Sequence, residues 1–323
     1  MSHLNDNVAI SIVMSAILYG TPLVFAGIGE LFAERSGVLN LGVEGMMLMG
    51  AVTAFWTSQR MGGPGWLVLL AAILVAMATA TVMALIHAFV TITLRANQIV
   101  SGLTLTIFAG VIGLSSYLGE VGHLGGKPGQ HQLRDLNVFG LKNIPVIGPI
   151  LFHQSPAIYA SWILVILAVL YLYRTRVGLY LRSVGEAPQA ADAMGINVTR
   201  YRYLHTLVGG GLAGFGGALY TIQIATNWID GLTAGAGWIA IALVIFSFWR
   251  PELLIAGAYL FGAFSGIGYD LQARGITSIP SEFWSSLPYV MTVVALVLVS
   301  MGSIRRRLGA PAALGTPYVR EES

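Results

Sequence analysis

The chain has 323 residues, 56% of them hydrophobic and only 10% charged, with a formal net charge of +3. Soluble domains carry about a quarter charged residues, so this composition excludes a water-soluble globular protein and indicates a polytopic membrane protein. The absence of cysteine excludes disulfide frameworks, thiolate nucleophiles and zinc–thiolate sites together, and so small a net charge gives no footing for nucleic acid.

A bilayer core requires about 20 apolar residues per helix. Runs of that kind are expected at 8–28, 43–58, 65–88, 99–119, 156–173, 203–222, 235–248, 253–271 and 284–301. The fold class is therefore an all-α, polytopic transmembrane helical bundle of about nine spans, forming one domain over residues 1–323. The opening MSHLNDN lacks a basic n-region and carries Asp6, so the first run reads as a retained span. The second and seventh runs are short and flanked by glycine, the pattern of a broken or re-entrant helix.

Between the first two runs lies Ser36-Gly37-Val38-Leu39-Asn40-Leu41-Gly42-Val43-Glu44-Gly45. Irregular backbone at membrane depth is tolerated only where protein buries it or it borders a wet cavity. Asn40 and Glu44 are thus candidate solute-path residues; the alternative is a cytoplasmic turn followed by an amphipathic helix start. Gln98, with Asn97 beside Arg95, reads either as part of a gate or as a helix cap.

Residues 120–155 form the longest loop, rich in Gly, Pro and His, with an apolar run at 144–152 suited to a membrane surface. This loop is expected on the extracytoplasmic side, as a docking site or a connector. Residues 174–202 are a charged, helix-capable island expected in the cytoplasm. Within it Gly185, Glu186 and Pro188 open a short helix, Gly195 closes it, and Ala190 and Ala191 offer a small-residue surface. A short, stiff helix of this kind suits docking to a motor subunit.

Gly209, Gly211 and Gly214 match a dinucleotide fingerprint in spacing only; inside an apolar run with no preceding strand they read as close-packing positions. Beyond them Tyr220, Gln223, Asn227, Trp228 and Asp230 gather at a span end, as aromatic belt residues or as groups able to stack on a planar solute. The run starting at Gly235 contributes Trp238 as a further candidate path residue.

Basic residues orient the set. Arg35, Arg95, Arg174, Arg176, Arg182, Arg200, Arg202, Arg250, Arg305, Arg306, Arg307 and Arg320 share one side, and Arg60, Lys127, Arg134, Lys142 and Arg274 the other. The positive-inside rule then places the C-terminus in the cytoplasm and, with nine spans, the N-terminus outside. Neither lysine, Lys127 or Lys142, follows a phosphate-cradling Gly-x-x-x-x-Gly, so any ATP hydrolysis must come from a separate subunit. No catalytic constellation and no paired intramembrane carboxylates stand out, which argues against an enzyme and against proton coupling. His87 and His205 are expected as interfacial anchors.

Two segments carry a family resemblance. Glu34 through Gly45 is similar to the N-terminal signature of permeases in the branched-chain amino acid/ribose-type ABC importer superfamily, most closely its purine nucleoside branch. Gly178 through Gly195, with Arg182, Gly185, Glu186, Ala190, Ala191 and Gly195, resembles that family's coupling segment. Gly214–Ala218 and Gly235–Ala242 resemble its later glycine-rich spans.

The resemblance implies an inner-membrane permease paired with a second, often non-identical permease. It further implies a separate ATPase that uses ATP, and an extracytoplasmic solute-binding protein. No cofactor or metal in this chain is implied. A simple sugar such as ribose or galactose is the alternative solute. A secondary transporter working alone and a non-transporting scaffold are the rival classes. One departure stands out: Phe246-Ser247-Phe248-Trp249 occupies the place of a glycine-containing turn before Pro251.

Overall fold

The computed structural model describes residues 8–110, 113–273, 275, 280–300 and 309–319. Arg274, Arg305, Arg306, Arg307 and Arg320, used above for orientation, lie outside the described residues. The helices in chain order are α1 (Val8–Arg35), α2 (Val43–Arg60), α3 (Gly65–Ala88), α4 (Gln98–Ala109), α5 (Leu114–Val121) and α6 (Pro156–Arg174). They continue with α7 (Arg176–Glu186), α8 (Pro188–Ala193), α9 (Val198–Leu219), α10 (Ala236–Phe246), α11 (Pro251–Ala273) and α12 (Ser281–Ser300). π-helical segments, Phe89–Thr93 and Tyr220–Ile224, extend α3 and α9.

The all-α bundle is as expected, but the count of nine is not. Among the described residues six helices are long and apolar enough to cross a membrane: Val8–Arg35, Gly65–Thr93, Gln98–Val121, Pro156–Arg174, Val198–Ile224 and Pro251–Gly268. The second expected span, α2, has 18 residues and is buried by its neighbours along most of its length, so it need not be apolar on every face. The seventh, α10, has 11 residues. At 1.5 Å per residue it covers roughly half of the ~30 Å hydrocarbon core. The ninth falls on α12, next to undescribed residues.

α1 runs through the middle of the bundle, flanked by α9 and α11, with α10 and α6 alongside. Small residues permit this. A Cβ on Gly29 would lie 2.5 Å from the Gly209 carbonyl oxygen, so the α1–α9 crossing closes to backbone contact. Gly217 is pressed in the same way onto the Met47 carbonyl of α2. Met46, Met47, Phe55 and Leu219 fill the space between these crossings and are fully buried.

Residues 120–155 are more structured than a connector. Leu136–Asn137 pairs antiparallel with His153–Gln154. Gly129 N–H donates to Thr226 O at 2.7 Å and Leu133 N–H to Ile222 O at 2.9 Å, which fastens the loop over the end of α9. The apolar run 144–152 ends in a π-helical turn, Gly148–Phe152. In the same loop, burial pushes the Asp135 carboxyl upward while His153 draws it down.

Candidate functional site

α9 runs into a π-helical turn at Tyr220–Ile224, where the wider i to i+5 hydrogen bonding interrupts the α-helical register. α10 begins at Ala236, after eleven intervening residues that end in a turn where Gly235 takes a φ of 80°. Between these two features and α1, α11 and α12 lies a cavity of about 480 Å³. Tyr19, Tyr220, Trp284 and Tyr289 give it aromatic walls, Thr233 and Ser265 supply hydroxyls, and among the described residues no charged side chain lines it. Its size falls within the usual range for small-molecule sites. The Tyr289 hydroxyl donates to the Ala234 carbonyl and thereby ties α12 to the turn before α10.

Glu44 builds the floor of that turn. Its Oε1 accepts from the Thr233 hydroxyl at 2.6 Å and the Gly235 N–H at 3.0 Å, and its Oε2 accepts from the Gly237 N–H at 2.6 Å. The carboxylate thus caps the N-terminus of α10, where orphan N–H groups and the positive end of the helix dipole favour an anion. Gly237 is glycine for a reason: a Cβ there would run into the Glu44 backbone.

Of the six path residues expected from the sequence, only Tyr220 lines the cavity directly. Glu44 acts one layer behind it, through Thr233. Asn40, 1% exposed, is folded into its own connection: its Oδ1 accepts from Gly42 N–H at 3.0 Å, and its amide nitrogen contacts Met46 Sδ at 3.4 Å. Gln98 supports that connection by accepting the Leu39 N–H at 2.7 Å. Gln223 is half-buried in the π turn, its Oε1 meeting no donor among the described residues. Trp238 is 37% exposed and outside the cavity. Tyr19, Trp284 and Tyr289 escaped the sequence reading because aromatic residues in apolar runs carry no periodic mark of a cavity.

The coupling-like segment lies at the Arg35 end of the bundle. α7 carries Arg182, Gly185 and Glu186, and Pro188 starts α8, which Gly195 ends with a φ of 80°. Arg182 sits over the Tyr173 ring at 5.4 Å. Ala191 turns inward onto Val184 and Val198, whereas Ala190 faces out beside Met194, which is 82% exposed. Gly185 abuts the Arg35 carbonyl so tightly that no side chain fits.

Two features differ from the sequence reading here. Glu30 and Glu34, one turn apart near the Arg35 end of α1, are both fully buried and form a carboxyl pair that reading did not single out. They escaped notice because α1 was expected to end at residue 28, short of both. His87 and His205 are also buried, at 0% and 3% exposure, rather than interfacial.

The model for the family "Branched-chain amino acid transport system / permease component" matches residues 12–296. The chain belongs to this family. The nucleoside ABC transporter permease NupC of Lactococcus lactis is 39% identical over 320 residues, covering 96% of this chain and 97% of the relative. The guanosine ABC transporter permease NupQ of Bacillus subtilis is 36% identical over 324 residues, covering 96% of each. A protein of Haloferax volcanii, provisionally named glucose ABC transporter permease TsgC13, is 35% identical over 332 residues, with 97% and 98% covered. A more distant guanosine permease of B. subtilis, NupP, is 24% identical over 305 residues, covering 90% of this chain and 81% of the relative.

Proposed function

We propose that this permease is one membrane-spanning half of an ABC importer that carries a purine nucleoside inward. The observation that carries the reading is the cavity walled by Tyr19, Tyr220, Trp284 and Tyr289, with no charged side chain among its described lining residues. A flat, neutral, hydrogen-bonding solute gains from stacking on aromatic faces and from the Thr233 and Ser265 hydroxyls. The nucleoside and guanosine permeases among its relatives favour the same class. A simple sugar is the second reading, supported by the glucose-named relative.

In this reading the chain sits in the cell inner membrane, its N-terminus outside and its C-terminus in the cytoplasm. A solute-binding protein delivers the nucleoside at the outer face, and an ATPase subunit seats the segment 174–202 through Arg182, Gly185, Glu186, Pro188, Ala190, Ala191 and Gly195. The second permease is a different chain, as the coexistence of NupQ and NupP in one organism suggests. Asn40, Glu44, Gln98, Tyr220, Gln223 and Trp238 remain the proposed path residues, with Tyr220 in contact with solute and Glu44 and Gln98 holding the walls.

Uptake of labelled guanosine in cells with and without the chain, with excess unlabelled ribose as competitor, tests the proposal. Loss on deletion with no effect of ribose supports a nucleoside importer. Loss with strong ribose competition moves the assignment to sugars, and solute flux through the reconstituted chain without an ATPase overturns the importer class.

A further inference from the structure

Glu30 and Glu34 lie on one face of α1, as i and i+4 residues do. Their exposures are 1% and 0%. Glu30 Oε1 accepts the Asn40 backbone N–H at 3.0 Å. Glu34 Oε2 accepts the Trp249 indole N–H. The other two oxygens, Glu30 Oε2 and Glu34 Oε1, meet no donor among the described residues. One helical turn apart on the same face, the two carboxyl groups are neighbours.

Among the described residues neither carboxyl group is in a salt bridge, and the one cation whose charge bears on Glu34 is its neighbour Arg35. Arg35, next on α1, directs Nε and Nη2 to the Trp249 carbonyl at 3.3 and 2.9 Å. On α9, Arg202 donates to the Thr316 carbonyl at 3.0 Å, and His205 is held between Tyr171 and Tyr201. His87 of α3 is held between Ser101 and the Leu39 carbonyl, and Arg182 of α7 lies over Tyr173. Arg250, before α11, pairs with Glu252, the only salt bridge among the described residues.

We propose that Glu30 and Glu34 form a one-proton site, a carboxylic acid hydrogen-bonded to a carboxylate, that latches the Arg35 end of the bundle. Two bare carboxylates on adjacent turns of one helix face, away from water and with only the Arg35 charge to offset theirs among the described residues, repel strongly, and one shared proton removes that repulsion. The same proton, placed between Glu30 Oε2 and Glu34 Oε1, satisfies both orphan oxygens at once.

The site joins two irregular backbone segments to one helix. Through Asn40, Glu30 grips the connection between α1 and α2. Through the indole, Glu34 grips Trp249, whose φ of 55° and that of Phe248 at 54° are left-handed values that bulky residues rarely adopt. Loss of the proton would place two charges at these grips and loosen both. The inference is independent of which solute is carried, and its test involves no transport.

The test is infrared spectroscopy of the purified chain in lipid nanodiscs. At neutral pH the wild-type protein is expected to show a carboxylic-acid C=O band, lost in Glu30→Gln/Glu34→Gln. Trp249→Phe, which lies outside the pair and removes only the indole donor to Glu34, is expected to shift the band without abolishing it. This variant serves if the double substitution fails to fold. A neutral-pH spectrum with no band responding to these substitutions overturns the proposal. So does a wild-type band that disappears on addition of Na⁺ or K⁺, which would make the pair a metal-cation site.

Discussion

Glu44 shows how one side chain can be polar, buried and structural together. Three donors converge on it: the Thr233 hydroxyl and the Gly235 and Gly237 N–H groups. In Glu44→Ala all three lose their acceptor inside the bundle. Each buried donor left unpaired costs about 1–3 kcal/mol, so a loss of at least ~3 kcal/mol is expected. Thermal unfolding in detergent should show a clear drop in midpoint, with Glu44→Gln falling between the two because one amide oxygen still accepts. An unchanged midpoint in Glu44→Ala would mean that the α10 cap is not what holds the cavity wall.

Among elements, the segment 309–319 has a role that no sequence pattern announces. Ala313 N–H donates to Gly185 O at 2.9 Å, Ala312 N–H to Glu186 Oε2 at 3.2 Å, and Gly315 N–H to Gly37 O at 3.2 Å. Arg202 adds its bond to Thr316 O, and Tyr318 packs on the Val184, Ala191 and Val198 cluster. The strap therefore ties the proposed coupling segment to the connection that carries Asn40. Removing residues 311–323 is expected to abolish solute uptake while leaving the chain inserted and ATP hydrolysis by the assembled complex measurable. Uptake at the full rate after truncation would show that the strap transmits nothing.

The long apolar helices α1, α3, α6, α9 and α11 were legible because hydropathy and length report them directly. The short α10 was half-legible through its flanking glycine, although the cap at its start depends on Glu44, some 190 residues away in sequence. The strap, the inward turn of Ala191 and the Glu30–Glu34 contact were illegible, since each arises from packing between distant segments. The departure at Phe246–Trp249 did mark something physical: Phe248 and Trp249 take left-handed φ values where glycine would be at ease, and Arg35 and Glu34 hold them there.

For the whole molecule, the cavity makes the solute proposal quantitative. Aromatic pairs add about 0.5–1.5 kcal/mol beyond simple burial. Replacing Tyr220 by Leu keeps apolar bulk but removes the stacking face, so the KM for guanosine uptake by the assembled importer should rise about two- to tenfold. Trp284→Leu is expected to act in the same direction from the α12 wall. Neither change touches the Arg35 end, so maximal ATP hydrolysis stimulated by the loaded binding protein should stay near the wild-type value. The distinction from the sugar reading lies in the pairing of results: a pyranose gains little from a lost or kept π-face compared with a purine. If Tyr220→Leu and Trp284→Leu leave guanosine KM unchanged, the aromatic cavity is packing rather than path, and the route must run past other walls of the bundle.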